Sequence, residues 1–226
     1  MTRPDYGIDA PGVVRNLLLA GGACLALAPW LHFLVFLGLS LAASGGAMVF
    51  YARVGKFRHR DRILRLARVR AGERVLDVGT GRGLLAVGAA RLGASAIGLD
   101  VFVAEDLTQN SLEKTRENLA LEGVAVDLRV EDAAAMTSLP SASIDCVVSN
   151  LCLHNLYDRQ KRDAALGEIA RVLKPGGRAL ISDFRHVPQY AQFFRARGFA
   201  VSEGGPYLDT FPWLRIAIAE KPATPA

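Results

Sequence analysis

The fold is decided by the stretch VLDVGTGRGLL, residues 75–85. Its apolar start predicts a short buried strand over residues 74–78, and the following apolar residues predict a helix over 84–92. Between them lies a loop with glycine at every second position, namely Gly79, Gly81 and Gly83. Glycine tolerates positive φ and has no Cβ, so a bound molecule can approach bare backbone next to a helix N-terminus. The stretch therefore predicts a cofactor site.

The spacing of these glycines narrows the class of cofactor. Dinucleotide-binding folds use G-x-G-x-x-G, which would require glycine where this chain has Leu84. The chain instead has G-x-G-x-G, with Asp77 two residues before the first glycine. A second predicted strand, residues 94–99, leads into Asp100, where a carboxylate is placed to accept both hydroxyls of a ribose. We therefore expect a ribose-containing cofactor whose group at the helix is less bulky and less anionic than a pyrophosphate.

Strand and helix patterns alternate along the rest of the chain, which predicts a doubly wound α/β sheet. The further predicted strands are 124–130, 144–150, 179–184, 199–203 and 214–219. The further predicted helices are 111–121, 159–173 and 187–197. Glu131 and Asp132 follow the third strand, and the sequence LKPGG, residues 173–177, is a proline-plus-glycine helix terminator.

Over about residues 71–220, this ordered set of motifs resembles class I S-adenosylmethionine-dependent methyltransferases. The resemblance implies a seven-stranded, Rossmann-like sheet with an antiparallel last strand. It also implies S-adenosylmethionine as cofactor, bound across the carboxyl ends of the first four strands. The implied contacts are Asp77, Gly79, Gly81 and Gly83 at the methionine end, Asp100 at the ribose, Glu131 and Asp132 at the adenine, and Asn150 and Leu151 beside the methyl group. One departure is the long link of residues 102–110, which predicts an unusual lid over the ribose.

Candidate catalytic groups follow the fourth and fifth strands. Methyl transfer is an in-line displacement at a sulfonium carbon, so positioning and water exclusion dominate and a base is needed only for a protonated nucleophile. His154 is a candidate general base, and Asp183 and His186 are candidate partners. The alternatives are a His154 that orients its loop or caps the next helix, and an Asp183 and His186 that lie on the rim. No metal site is predicted, because the histidines and cysteines lack ligand spacing.

The N-terminal part of the chain differs from the rest in composition. Between Leu17 and Ala52, 36 residues contain no Asp, Glu, Lys or Arg. One helix of that length would measure ~54 Å, whereas the hydrocarbon core of a bilayer is ~30 Å thick. Pro29 predicts a break, so we expect a transmembrane helical hairpin with legs at 13–28 and 31–52. A cleaved signal peptide and a buried helix pair of a soluble protein are the alternatives.

Basic residues follow the apolar segment directly, between positions 53 and 70. This is typical of the cytoplasmic flank of a membrane segment, and residues 56–70 also have the period of a basic amphipathic connector helix. The net charge is +5, but no aromatic residues alternate with these charges, so nucleic-acid binding is not expected. The predicted organisation is a loose polar tail at 1–12, the hairpin at 13–55, the connector at 56–70 and the methyltransferase domain at 71–226.

Taken together, these features predict a methyltransferase anchored in the cytoplasmic membrane, with its catalytic domain in the cytoplasm and a lipophilic small molecule or lipid as substrate. A membrane-tethered protein methyltransferase is one alternative, although NLCL at 150–153 stands where many amino-group methylators have Asn-Pro-Pro-Tyr. A non-catalytic membrane adaptor is another, and the intact glycine loop and Asp100 argue against it. Homo-oligomerisation through the hairpin is compatible with each of these functions.

Overall fold

The computed structural model describes residues 3–103, 107 and 110–223. The helices are α1 (Pro11–Leu27), α2 (Leu34–Phe50), α3 (Lys56–Leu66), α4 (Leu84–Arg91), α5 (Leu112–Glu122), α6 (Arg159–Val172) and α7 (Val187–Arg195). A π-helical turn, Tyr51–Gly55, joins α2 to α3, and a 3-10 turn spans Leu153–Asn155. The strands are β1 (Arg74–Val78), β2 (Ser95–Asp100), β3 (Asp127–Val130), β4 (Ile144–Asn150), β5 (Leu173–Asp183), β6 (Ala200–Tyr207) and β7 (Leu214–Glu220).

Within the described residues, the seven strands form one sheet in the order β3-β2-β1-β4-β5-β7-β6. The pairs from β3 to β5 are parallel, and β7 is antiparallel to both β5 and β6. The predicted seven-stranded sheet with an antiparallel last strand is confirmed. The strand order reverses between β1 and β4, and this reversal leaves a crevice beyond the carboxyl ends of the central strands.

Helices cover both faces of the sheet, and alternate side chains of each central strand face opposite layers. In β4, Val147 packs in the core that contains α6 and α7, whereas Cys146 and Val148 pack in the core that contains α3 and α4. The apolar side of α3, formed by Ile63 and Leu64, is therefore buried against the sheet. The predicted connector, residues 56–70, is helical over Lys56–Leu66, and its apolar face packs on the domain.

The largest difference from the predicted boundaries lies at the start of β5, which begins at residue 173 and not at 179. The helix predicted to end at the LKPGG terminator ends at Val172, and β5 begins at once with Leu173. A register shift between Ile144 and Cys146 accommodates the extra residues at this end of the strand pair. A Cβ on Gly177 would lie 2.9 Å from the carbonyl oxygen of Lys174, so the glycine is needed for close backbone packing here.

Helices α1 and α2 form the predicted hairpin, with Pro29 in the turn that joins them. Glycines lie where the helices touch: a Cβ on Gly21 would be 2.8 Å from the amide nitrogen of Ala42. Small residues at such a contact let two helix backbones approach closely. Large apolar side chains cover the outside of the pair and are exposed; among them are Leu18, Leu19, Leu27, Phe33, Phe36, Leu37 and Leu39.

In the described part of the chain, one continuous helix, Leu34–Leu66, is long and apolar enough to cross a membrane. It comprises α2, the π-helical turn and α3, whereas α1 is a shorter apolar helix. The two-span membrane hairpin therefore stays a prediction.

The N-terminal residues 3–10, called the strap below, do not form the loose tail that the sequence predicts. Tyr6 is only 5% exposed, and its hydroxyl donates to Glu122 Oε1 at 2.6 Å. The ammonium of Lys56 donates to the carbonyl oxygen of Tyr6 at 2.6 Å. The guanidinium of Arg82 donates to the carbonyl oxygen of Asp5 at 2.9 Å. The expectation of a loose tail is wrong because the groups that hold the strap are distant in sequence and leave no local pattern.

The glycine contact in the hairpin makes a testable prediction. We expect Gly21→Ala to lower the free energy of unfolding by about 1–3 kcal/mol, because the new methyl group meets backbone that cannot move aside. Gly22→Ala is the matched control, since a Cβ there has nothing within 4 Å. It should be neutral or stabilise by up to ~1 kcal/mol through helix propensity. Denaturant unfolding in detergent, followed by circular dichroism, measures both, and equal behaviour of the two variants would contradict the packing.

Candidate active site

The glycine loop lies between β1 and α4 and presents bare backbone. Gly79, Gly81 and Gly83 have φ of 75°, 51° and 89°, in the left-handed region that favours glycine. The amides of Gly79 and Thr80 donate to the carbonyl oxygen of Leu99 at 2.8 and 3.1 Å, which ties the loop to β2. A Cβ on Gly79 would lie 2.3 Å from Cys152 Sγ. No other residue type therefore fits at position 79 without displacing the turn after β4.

Asp77 lies on β1, beneath the glycine loop, and is 1% exposed. Its Oδ2 accepts from Thr80 Oγ1 at 2.8 Å and from the amide of Ala86 at 3.0 Å. Among the described residues, its Oδ1 has no hydrogen-bond partner. Burial raises the pKa of this carboxyl to about 7, since the low-dielectric surroundings disfavour the charged form. One acceptor oxygen is therefore held ready beside the loop.

The other predicted acids follow the neighbouring strands. At the end of β2, Asp100 accepts from the amide of Gly81 at 2.7 Å and from that of Phe102 at 2.6 Å. After β3, Asp132 accepts from the amide of Ala134 at 2.9 Å. Backbone donors thus fix both carboxylates where parallel strands end together.

A cavity of about 580 Å³ opens at these strand ends. The predicted cofactor-binding residues that line it are Asp77, Gly79, Gly81, Asp100, Glu131, Asp132, Asn150 and Leu151. Gly83 is not among the lining residues and instead occupies the N-cap position of α4. The structure therefore brings eight of the nine predicted cofactor contacts to one cavity, while their roles as contacts stay predictions.

Several cavity residues have no counterpart in the sequence-based prediction. They come from the strap, the hairpin base, the start of α3, the glycine loop, the turn after β4 and α6: Tyr6, Asp9, Tyr51, Lys56, Arg82, Cys152, Tyr157 and Lys161. Among these residues, only Arg82 has a signal in the sequence that could have indicated its role. It lies between two glycines of the motif, where a large side chain must point away from the bare backbone. The others are separated by too many residues for a sequence pattern to show that they meet.

The three predicted catalytic residues lie elsewhere. His154 Nδ1 is 2.9 Å from Asp183 Oδ1, an ion-pair distance at an angle that does not meet hydrogen-bond geometry. The amide of His154 donates to Asp183 Oδ2 at 3.1 Å. His186 is exposed, with a φ of 61°, at the N-cap of α7. In the described part of the chain, none of the three lines the cavity, so a catalytic role for them stays a prediction.

The predicted lid over the ribose falls largely on residues outside those described. Residues 104–106, 108 and 109 lie outside them. Of the rest, Val103, Leu107 and Asn110 line the cavity, and Leu107 pairs with Asp9 of the strap in an isolated antiparallel bridge.

The chain matches known proteins over its central part. Residues 76–181 match the family model described as "Methyltransferase domain". Residues 76–181 therefore match a methyltransferase domain. The predicted enzyme class, S-adenosylmethionine-dependent methyltransferase, is thereby confirmed for this domain, and so is the cofactor.

Two curated relatives show the breadth of this similarity. The ribosomal protein L11 methyltransferase of Symbiobacterium thermophilum is 37% identical over 114 residues, covering 50% of this chain and 33% of that protein. The ubiquinone/menaquinone biosynthesis C-methyltransferase of a Marinomonas species is 35% identical over 117 residues, covering 51% of this chain and 44% of that protein. The chain thus spans less than half the length of these two curated relatives.

Among solved structures, magnesium protoporphyrin IX methyltransferase from Synechocystis, with S-adenosylmethionine bound, superposes with a TM-score of 0.61. The match covers 79% of this chain and 83% of that one at 17% identity. It shows that the two chains share a fold.

The cavity fits S-adenosylmethionine in its hydrogen-bonding chemistry. Among the described residues, two cavity-lining side chains beside the glycine loop and Asp100 have a buried oxygen atom that lacks a hydrogen-bond partner: Asp77 Oδ1 and Asn110 Oδ1. Both oxygens can accept hydrogen bonds. S-adenosylmethionine is a cation that carries an ammonium group, two ribose hydroxyls and an amino group as donors. Unpaired acceptors at these positions suit such a ligand.

The raised pKa of Asp77 makes cofactor binding depend on pH. We expect the ammonium of S-adenosylmethionine to select the ionised carboxylate, so the affinity should fall as the pH drops through about 7. Below that pKa the loss should approach about tenfold per pH unit, since a proton must leave before the cofactor binds. Isothermal titration between about pH 5 and pH 7 measures this.

Asp77→Asn is the matched control for this pH dependence. The amide keeps an oxygen for the bonds from Thr80 and Ala86 but removes the titrating proton. The variant should bind more weakly, with an affinity that no longer changes over this range. A native affinity that is the same at both ends of the range would contradict the role of Asp77.

Proposed function

We propose that this protein is a membrane-anchored enzyme that transfers the methyl group of S-adenosylmethionine to a lipophilic small molecule. The proposal rests on one observation: the base of the hairpin and the predicted cofactor-binding residues line the same cavity. Tyr51, the first residue after α2, lines the same cavity as Asp100 and the glycine loop. The apolar hairpin therefore ends at the site where the cofactor would bind, so a molecule dissolved in lipid has a short path to it.

The strap along the cavity favours a small acceptor over a protein. Tyr6 and Asp9 of the strap line the cavity, and Lys56 and Arg82 hold the strap in place. A peptide substrate needs an open groove, and the strap crosses the domain on this side. Of the two curated relatives, the one named for ubiquinone and menaquinone biosynthesis supports a lipophilic acceptor. The ribosomal protein L11 methyltransferase supports the alternative.

The chemistry requires little covalent participation by the chain. When bound, S-adenosylmethionine supplies an activated methyl group on a sulfonium centre. The chain's own residues have to hold that ligand, place the acceptor in line and keep water out. Asp77 and Asp100 are the predicted anchors of the cofactor, and Asn150 and Leu151 border the position where the acceptor must approach.

The surface of the hairpin supports the proposed anchoring. Its outer side presents exposed Leu19, Phe36 and Leu39, while the chain immediately after α2 presents exposed Arg53 and Arg58. An apolar helix pair that is followed by cations fits a bilayer with its anionic leaflet on the side of the domain. We therefore place the catalytic domain on the cytoplasmic face of the inner membrane.

Methyl transfer can be tested directly. Protein reconstituted in liposomes should transfer radiolabelled methyl from S-adenosylmethionine into the organic phase of a lipid extract. Asp100→Ala should lower this transfer by at least about tenfold, because the carboxylate that orders the glycine loop is lost. Asp127→Ala, at an exposed acid on β3 outside the cavity, is the matched control and should retain activity. Label that enters only protein would favour the protein methyltransferase instead.

The proposed membrane anchoring can be tested without measuring methyltransferase activity. The native protein should stay in the membrane pellet after alkaline carbonate extraction. A variant with Leu19→Lys, Phe36→Lys and Leu39→Lys should move to the supernatant, since each lysine in a membrane helix costs ~2.5–3.5 kcal/mol. These positions are exposed, so the change should leave thermal unfolding of the domain unaltered. Release of the native protein by carbonate would instead identify the hairpin as an apolar helix pair of a soluble protein.

A further inference from the structure

The junction between the hairpin and the domain places a buried tyrosine hydroxyl beside the cavity. Tyr51 begins the π-helical turn after α2 and is 3% exposed. It lines the cavity, and within the described residues its hydroxyl has no hydrogen-bond partner. Single π-helical turns are rare and occur frequently at functional sites. The position of this ring therefore calls for an explanation beyond helix packing.

Gly55, at the end of the same turn, allows the ring to take this position. A Cβ on Gly55 would lie 2.7 Å from Tyr51 Cδ2. The φ of Gly55 is –62°, which any residue adopts, so backbone conformation does not require glycine here. The requirement is space for the ring. The turn is thus shaped around the orientation of Tyr51.

Two further oxygens accompany the hydroxyl. The side chain of Asn150 approaches the Tyr51 hydroxyl outside strict hydrogen-bond geometry, Asp9 acts on that hydroxyl through its charge, and both residues line the cavity. In the described residues, Asn150 Oδ1 and Asp9 Oδ2 have no hydrogen-bond partners, although Lys56 Nζ lies 3.7 Å from Asp9 Oδ2. The three oxygens come from the strap, the hairpin base and the end of β4. Segments so far apart in sequence meet at this one place.

The chemistry of these oxygens defines the ligand group that would complete them. Asn150 Oδ1 and the Asp9 carboxylate only accept hydrogen bonds, whereas the hydroxyl of Tyr51 both donates and accepts. When the Tyr51 hydroxyl donates a hydrogen bond to one of these two acceptors, the lone pairs of the hydroxyl and the other acceptor still lack a donor. These remaining positions are satisfied by a ligand that brings a donor. Each unpaired buried oxygen costs about 1–3 kcal/mol, so a ligand that pairs them gains affinity.

We propose that Tyr51, Asn150 and Asp9 form the subsite that binds the hydroxyl group of a lipophilic methyl acceptor. This inference rests on the proposed function and specifies its substrate class as a hydroxylated apolar molecule. The predicted position of Asn150, beside the transferred methyl group, places the subsite at the acceptor side of the cavity. Tyr51 belongs to the base of the hairpin, so the apolar remainder of the ligand is directed toward the lipid phase.

A pair of probes that differ by one hydroxyl tests the subsite. The full-length protein in lipid nanodiscs is titrated with naphthol and with naphthalene by fluorescence, with empty nanodiscs subtracted. We expect the native protein to bind naphthol about tenfold more tightly than naphthalene, the effect of one well-made hydrogen bond in a buried site. Tyr51→Phe should abolish this preference and leave naphthalene binding unchanged. A Tyr51→Phe variant that still prefers naphthol would overturn the proposal.

Three further measurements separate the possible causes of a preference for naphthol over naphthalene. Tyr207→Phe removes a tyrosine hydroxyl from β6, outside the cavity, and should keep the preference for naphthol. Gly55→Ala should weaken the preference, because it displaces the ring of Tyr51 without removing the hydroxyl. The affinity for S-adenosylmethionine, measured by calorimetry, should be the same in the native protein and in Tyr51→Phe. A tenfold loss of cofactor affinity in that variant would assign Tyr51 to the cofactor and overturn the acceptor subsite.

These results also distinguish the inference from the function on which it rests. If the native protein fails to bind S-adenosylmethionine but shows a naphthol preference that depends on Tyr51, the methyltransferase function fails and the hydroxyl subsite stands. If the cofactor binds and the native protein does not discriminate between the probes, the subsite fails and the methyltransferase function stands.

Discussion

Two buried cations hold the strap along one side of the cavity. Arg82 and Lys56 are 1% and 5% exposed, and both extend from rigid elements toward the strap. A charge removed from water is tolerated only when it is paired and hydrogen-bonded, and an uncompensated one costs several kcal/mol. The strap supplies the partners: Asp5 Oδ2 lies 2.8 Å from Arg82, and the carbonyl of Tyr6 accepts from Lys56. The strap must therefore lie across the domain for either cation to be buried.

This pairing connects three segments that serve different purposes. Arg82 belongs to the glycine loop, Lys56 begins the helix that continues from the hairpin, and the strap precedes α1. Burial lowers the pKa of Lys56, so the charge on this residue depends on its strap partners. A displacement of the hairpin base would pull on the strap through Lys56, and the strap contacts the glycine loop through Arg82. The helical hairpin and the candidate cofactor site are in this way connected by hydrogen bonds through the strap.

The features that the sequence predicts correctly depend on interactions between residues that are close together in the chain. The bounds of β1 and β4 agree with the structure, because buried parallel strands are continuous apolar runs between polar residues. The glycine loop and Asp100 lie within one strand–turn–helix–strand unit, β1 to β2. A local sequence pattern therefore indicates both of them. The strap and Tyr51 were missed, because their partners lie far away in the chain. Their positions depend on tertiary contacts that no local sequence pattern indicates.

The predicted catalytic residues show how a local signal can bring side chains together without bringing them to the cavity. A histidine and an aspartate after adjacent strands suggest acid–base chemistry, and the structure does bring His154 and Asp183 together. Asp183 is fully buried, however, and both of its oxygens are occupied: Oδ2 by the amide of His154 and Oδ1 by the amide of Phe184. These bonds hold the turn after β4 against the end of β5.

That turn is what places side chains in the cavity. Leu151 adopts a φ of 53°, a strained value for a branched side chain, and its amide donates to the carbonyl oxygen of Ser182 at 3.0 Å. Cys152 next to it packs against the bare backbone of Gly79. The buried carboxylate of Asp183 thus acts on the site by holding a strained turn in place. Asn150, which precedes this turn, and Tyr51 at the hairpin base line the same cavity.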